Sequence, residues 1–120
     1  MAKSIIVIDD EEIVCKMTEM TLTKEGYEVE TFVDSRKALE RIKEKKFDLV
    51  ITDLKMEDVD GMQILQTVND LYPDTKVIMI TAYATLDTAI EALRKRVFDF
   101  FPKPIRIKEL KKTVKEAIGE

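Results

Sequence analysis

Apolar positions along this chain switch repeatedly between two rhythms. Ile5-Ile6-Val7-Ile8 is apolar at every position and β-branched, the mark of a strand buried on both faces. Asp9-Asp10 closes that run. From about Glu11 to Glu25, Ile13, Val14, Met17, Met20 and Leu22 fall at near-helical spacing, with Gly26 as a stop. Tyr27 to Phe32 alternates, which predicts a strand nearer a sheet edge. Asp34 or Ser35 caps a helix that continues through Ala38, Leu39 and Ile42. Phe47 to Thr52 holds a second buried strand, Leu49-Val50-Ile51, ending at Asp53. A loop from Leu54 to Gly61 leads into a helix from about Met62 through Ile64, Leu65 and Val68 to Leu71, and Pro73-Asp74 turns the chain.

The pattern then repeats. Lys76 to Ile80 carries the all-apolar Val77-Ile78-Met79-Ile80 and ends at Thr81. A helix around Leu86 to Lys95 finishes in Arg94, Lys95 and Arg96, where the helix dipole favours cations. Phe98 to Phe101 is a short last strand ending at Pro102-Lys103-Pro104. An amphipathic helix follows on Ile107, Leu110, Val114, Ala117 and Ile118. Five strands alternating with five helices predict a parallel sheet covered on both faces. At 120 residues the chain is one domain, too short for an eight-fold barrel. The fold class is therefore α/β, a single doubly wound, flavodoxin-like sheet of order 2-1-3-4-5 in three layers.

Composition narrows the chemistry. Twenty basic against 24 acidic residues leave a net charge of −4, which argues against a nucleic-acid grip. The single cysteine, Cys15, permits no internal disulfide and reads as a small buried apolar residue. There is no histidine, so imidazole metal sites and histidine-based triads are excluded. The apolar runs are too short to cross a bilayer, and Met1-Ala2-Lys3-Ser4 has no signal-peptide layout. The expectation is a cytoplasmic domain whose chemistry runs on carboxylates, amines and hydroxyls. The six methionines read as core filler.

In an open α/β sheet, ligands sit beyond the carboxyl ends of the strands, where the strand order reverses. The residues predicted there are Asp9 and Asp10, Asp53, Thr81 and Lys103. Each has a plainer reading alone. Asp9-Asp10 can cap a helix, Asp53 can be a loop aspartate, Thr81 can be an N-cap and Lys103 a solvated lysine. Together they gather three carboxylates, a hydroxyl and an ammonium, and buried carboxylates need a cation to share their pocket. A hard divalent ion such as Mg²⁺ suits oxygen ligands. A carboxylate nucleophile beside such an ion, facing a lysine and a hydroxyl, is equipped for phosphoryl transfer.

With these residues in order at successive strand ends, the chain resembles the receiver domain of bacterial two-component response regulators over essentially its whole length. The matching pieces are Asp9-Asp10, Asp53, Asp60-Gly61, Thr81-Ala82 and Lys103-Pro104. The resemblance implies Asp53 as phosphoryl acceptor. It implies Mg²⁺ on Asp10, Asp53 and the Lys55 carbonyl, with Asp9 orienting a metal-bound water. Thr81, the Ala82 backbone N–H and Lys103 would bind the phosphoryl group, and Lys103-Pro104 would be a cis peptide. Phe100 matches the switch aromatic. The implied partner is a sensor histidine kinase or phosphotransfer protein. Output would be an output partner or a homodimer through the fourth helix, fifth strand and fifth helix, with neither nucleic acid nor membrane bound by this chain. The protein would be a switch rather than a turnover enzyme. Lys55 and Tyr83 would overhang the site and lengthen the phosphorylated state.

The chain departs from the family pattern at two places. Glu57 stands where the family usually has proline, and Arg96-Val97 where many relatives have Gly-Ala. The stretch Phe98–Pro104 resembles receivers attached to ATP-dependent transcription activators of the nitrogen-regulation type. Three rival readings stand beside this one. The first is a docking module that never uses its pocket. The second is a dehalogenase-type phosphatase, which would want an aspartate at the position of Lys55. The third is a flavodoxin-like carrier, for which the chain lacks a phosphate loop rich in Gly, Ser and Thr after its first strand.

Overall fold

The computed structural model describes residues 2–120. The element order is β1 (Ser4–Ile8), α1 (Glu12–Lys24), β2 (Glu28–Phe32), α2 (Ser35–Glu44), β3 (Leu49–Thr52), α3 (Gly61–Leu71), β4 (Lys76–Thr81), α4 (Leu86–Arg94), β5 (Asp99–Pro102) and α5 (Ile107–Ile118). All strands are parallel, in the order β2-β1-β3-β4-β5. The strand order and the alternation agree with the sequence reading. The last strand starts one residue later than expected, and Thr81 is the end of β4 rather than a residue beyond it.

Side chains alternate across the sheet with the period of two that a strand imposes. Ile5 and Val7 join one core cluster with Leu49, Ile51, Ile78 and Ile80, covered by Leu22 of α1 and Leu110, Val114 and Ala117 of α5. Ile6 and Ile8 join the other with Val50, Val77 and Met79, covered by α2, α3 and α4. The central strands β1 and β3 are buried along their whole length, as their unbroken apolar runs require.

Local chemistry sets the helix ends. Asp34 caps α2 by accepting from the Arg36 and Lys37 amides. Asp60 and Gln63 form a reciprocal capping box at α3. The cap of α4 is Thr85, paired with Thr88, so Thr81 is free of the capping role that its sequence context also allowed. Arg96 adopts φ 62 after α4, so a residue with a Cβ occupies the left-handed turn that glycine favours.

The facing of α1 differs from the sequence expectation. Its buried stripe runs through Cys15 and Leu22, with Val14, Thr18 and Thr21 half-buried beside them. Ile13, Met17 and Met20 are 63%, 57% and 61% exposed. They lie on a second helical stripe pointing away from the sheet, so two of the methionines read as core filler are surface residues. Threonines fill the inner stripe in their place, and apolar spacing alone does not distinguish two such stripes on one helix.

Candidate functional site

The reversal of strand order lies between β1 and β3, and the chain brings its chemistry there. The Asp9 amide donates to the Phe32 carbonyl, and the Asp53 amide to the Ile8 carbonyl at 2.9 Å. Backbone pairing thus carries past the strand ends and holds both aspartates in register. Asp9 and Asp53 are 3% and 5% exposed. One carboxylate oxygen from each of Asp9, Asp10 and Asp53 falls within a 4.8 Å group. Asp10 lies at the exposed rim of this group.

Lys103 enters from the end of β5, where its amide donates to the Thr81 carbonyl. Its Nζ lies 2.8 Å from Asp9 Oδ2, 2.9 Å from Asp53 Oδ2 and 3.0 Å from Glu11 Oε1. Burial alone would depress the lysine's pKa, but hydrogen bonds to Asp9, Asp53 and Glu11 outweigh it and push the ammonium above its ordinary range. Asp9 moves the opposite way from a free ion-paired carboxylate. Burial raises it, and the Lys103 and Glu11-amide hydrogen bonds only partly offset that. The Lys103-Pro104 peptide is cis.

The remaining oxygens are held as well. The Leu54 amide donates to Asp53 Oδ1 at 2.6 Å, and the Glu11 amide to Asp9 Oδ1 at 2.9 Å. Asp9 therefore steadies the entry to α1 without capping it, since the N-cap residue is Glu11 and its side chain makes no cap bond. Thr81 is fully buried, and its hydroxyl accepts from the Tyr83 amide at 3.0 Å rather than bonding Asp53. Ala82 is exposed beside it. Lys55 and Tyr83 meet over the loops, the ammonium 5.2 Å from the ring centroid. Phe100 is half-buried against the core cluster on the α2–α3–α4 side, opposite Met79 in the β4–β5 register.

A cleft of about 230 Å³ reaches from Asp9, Asp53 and Lys103 between α1 and α5 to Met17 and Ile107. Cys15, buried in α1, donates its thiol to the Asp9 carbonyl. Burial, with Asp9 second, raises its thiol to about 11, so it stays a protonated packing group.

The donor set suits a hard cation. Three carboxylates whose oxygens can lie within 4.8 Å repel one another, and one ammonium leaves negative charge over. An all-oxygen cluster with one ligand at the solvent edge fits a divalent ion that keeps part of its water shell, as Mg²⁺ does. Two contributors escaped the sequence reading. Glu11 supplies a third carboxylate to Lys103, and its only signal was a run of acids after the first strand. Ser35 bonds the loop after β3, whereas its sequence position suggests only a helix cap.

Gly61 pins the near end of that loop. Its amide donates to the Leu54 carbonyl at 2.7 Å, and a Cβ there would collide with the Asp53 carbonyl oxygen.

The family model described as the response regulator receiver domain matches residues 5–115. The transcriptional regulatory protein ZraR of Klebsiella oxytoca is 36% identical over 115 residues, covering 96% of this chain and 26% of that protein. The response regulator protein PilR of Pseudomonas aeruginosa is 34% identical, covering 94% and 25% respectively. The chain thus spans about a quarter of the length of these curated relatives. Among solved structures, the CheY-like receiver domain protein from Methanospirillum hungatei superposes with a TM-score of 0.95 at 30% identity, covering 99% of this chain and 95% of that one. The beryllofluoride-activated NtrC4 receiver domain dimer gives a TM-score of 0.91 at 33% identity, covering 97% and 96%.

Gly61→Ala is expected to destabilise the protein by about 2 kcal/mol, because the clash is with backbone rather than with a yielding side chain. Urea denaturation measures it. A variant as stable as the parent would show that α3 does not press on the Asp53 peptide.

Proposed function

The chain belongs to the response regulator receiver domain family, and on that premise we propose that Asp53 is its phosphoryl acceptor and that phosphorylation switches a binding face. The observation that carries this reading is the convergence of Asp9, Asp53 and Lys103, with Asp10 at the rim. Asp10, Asp53 and the Lys55 carbonyl would hold Mg²⁺, with Asp9 orienting a metal-bound water. When bound, that ion would neutralise the oxygens of the transferring group.

In the reaction, a carboxylate oxygen of Asp53 attacks the phosphorus of a phosphohistidine on a kinase or phosphotransfer protein. The P–N bond breaks, a P–O bond forms, and the imidazole leaves with the electron pair. Lys103, already 2.9 Å from Asp53, follows the charge onto the phosphoryl oxygens. The Thr81 hydroxyl turns from the Tyr83 amide to donate to the same group, helped by the Ala82 amide. Phe100 then rotates inward on β5, and the α4–β5–α5 face repacks, a two-state element biased by added charge.

Two surfaces support the partner assignment. Ile13, Met17, Met20 and Ile107 form an exposed apolar patch beside the cleft that leads to Asp53, where a phosphodonor protein would rest. Leu86, Ile90 and Leu93 recur at helical spacing on α4 and are exposed, with Phe98 nearby. An output partner or a second copy would bind there. The neighbour NtrC4 is described as a receiver domain dimer. No described helix is long and apolar enough to cross a membrane. We place the protein in the cytoplasm, as a switch rather than a turnover enzyme and without direct contact to nucleic acid.

Intact-mass analysis after incubation with acetyl phosphate tests the acceptor. A gain of one phosphoryl group that requires Mg²⁺ and is absent from Asp53→Asn is expected. No gain, under conditions that label a known receiver, would favour a docking module instead. The Lys55–Tyr83 roof should shield the acyl phosphate from water. Lys55→Asn with Tyr83→Ala is expected to speed loss of the label several-fold, and an unchanged rate would remove this role from the pair.

A further inference from the structure

The loop between β3 and α3 is closed at its base, where Gly61 meets Leu54. Its tip is a three-residue turn. The Val59 amide donates to the Glu57 carbonyl at 2.9 Å, and Asp58 between them has φ 70. A non-glycine residue in that region stores strain and needs outside support to persist. The support comes from a different element. The Ser35 hydroxyl, on the first residue of α2, donates to the Glu57 carbonyl at 2.5 Å and accepts from the Val59 amide at 3.1 Å. One hydroxyl therefore satisfies both polar groups that define the turn, and Ser35 is only 3% exposed while doing so. Arg36 adds an ion pair to Asp58 at 3.5 Å, but both partners are exposed and the pair is weak. Asp34 fixes the serine in turn by capping α2 on the Arg36 and Lys37 amides. No proline stiffens the loop, since the residue at its tip is Glu57.

We propose that Ser35 is a positioning residue for the cation-binding loop: its hydroxyl staples the Glu57–Val59 turn and so presets the Lys55 carbonyl two residues upstream. This rests on the reading of Asp53 and its neighbours as a divalent-ion site. Carbonyl ligands contribute only when their orientation is held, and partners outside the ligand set commonly govern affinity for that reason. The staple also ties the loop to the β2–α2 turn, which supplies none of the proposed ligands.

The test uses the whole chain, with amide hydrogen exchange in chelator and Mg²⁺ titration followed by NMR. In Ser35→Ala the Val59 amide is expected to exchange about tenfold faster without metal. The Mg²⁺ affinity is expected to fall about tenfold, while the Asp9–Lys103–Asp53 contacts remain. Adding Glu57→Pro, which fixes a backbone angle of the same turn, is expected to recover much of the affinity without the hydroxyl. If Ser35→Ala does not fold, Ser35→Cys keeps a similar volume while weakening both hydrogen bonds, and the same two losses, smaller in size, are expected of it. A wild type that binds Mg²⁺, with a serine variant that binds it equally well, overturns the proposal alone. Failure of the proline to recover affinity also overturns it, because the stiffness of the turn is then not what the ion senses. A wild type that does not bind Mg²⁺ overturns the ion-site reading, and the proposal falls with it.

Discussion

The Lys103 ammonium stands within 3.0 Å of carboxylates from Asp9, Asp53 and Glu11, and Asp10 adds a further negative charge at the rim. Four carboxylates around one lysine leave the pocket over-supplied with negative charge. Partial burial makes that repulsion stronger than it would be in water. Such a cluster is costly without a cation, and on the proposed function that cost is offset when a divalent ion and a phosphoryl group occupy the site. Lys103 is also the only one of these groups that comes from β5.

The fold converts this local charge balance into geometry. Backbone bonds beyond the ends of β1 and β3 hold Asp9 and Asp53 so that neither can retreat from the other. On the far side, Thr81 is buried and its hydroxyl is engaged by the Tyr83 amide, one exchange of partners away from another arrangement. Phe100 is half-buried, packed against the core cluster of Met79 and its neighbours. In the proposed switch, Thr81 and Phe100 would link this charge cluster to the exposed apolar face of α4. The loop bearing Lys55 is tied at its base by Gly61 and at its tip by Ser35.

Most of the fold was legible in the sequence because the central strands are buried on both faces and therefore read as unbroken apolar runs. The site was legible for a related reason. Polar residues placed where each of those runs stops point to the carboxyl edge of the sheet, and Asp9, Asp10, Asp53, Thr81 and Lys103 all arrive there. What the sequence hid depends on facing and reach. Ile13, Met17 and Met20 have helical spacing, yet their stripe faces outward because Cys15, Leu22 and two threonines fill the inner one. Glu11 reaches Lys103 across 92 residues of sequence, and Ser35 reaches the loop across 22 and 24. No local pattern records a hydrogen bond of that span. The left-handed turn at Arg96 was visible only as a departure from the family pattern, and the structure shows the turn retained with a larger residue in it.

The central claim is that this pocket holds more negative charge than Lys103 balances, and that a divalent ion makes up the difference. Calorimetric unfolding of the native chain and of Asp10→Asn, each in chelator and in Mg²⁺, tests it most directly. Mg²⁺ should raise the unfolding temperature of the native chain. Asp10→Asn should be at least as stable as the native chain in chelator, because it removes one of the crowded negative charges, and should gain much less from Mg²⁺. A variant that is less stable than the native chain without metal, and still responds fully to Mg²⁺, would contradict the account.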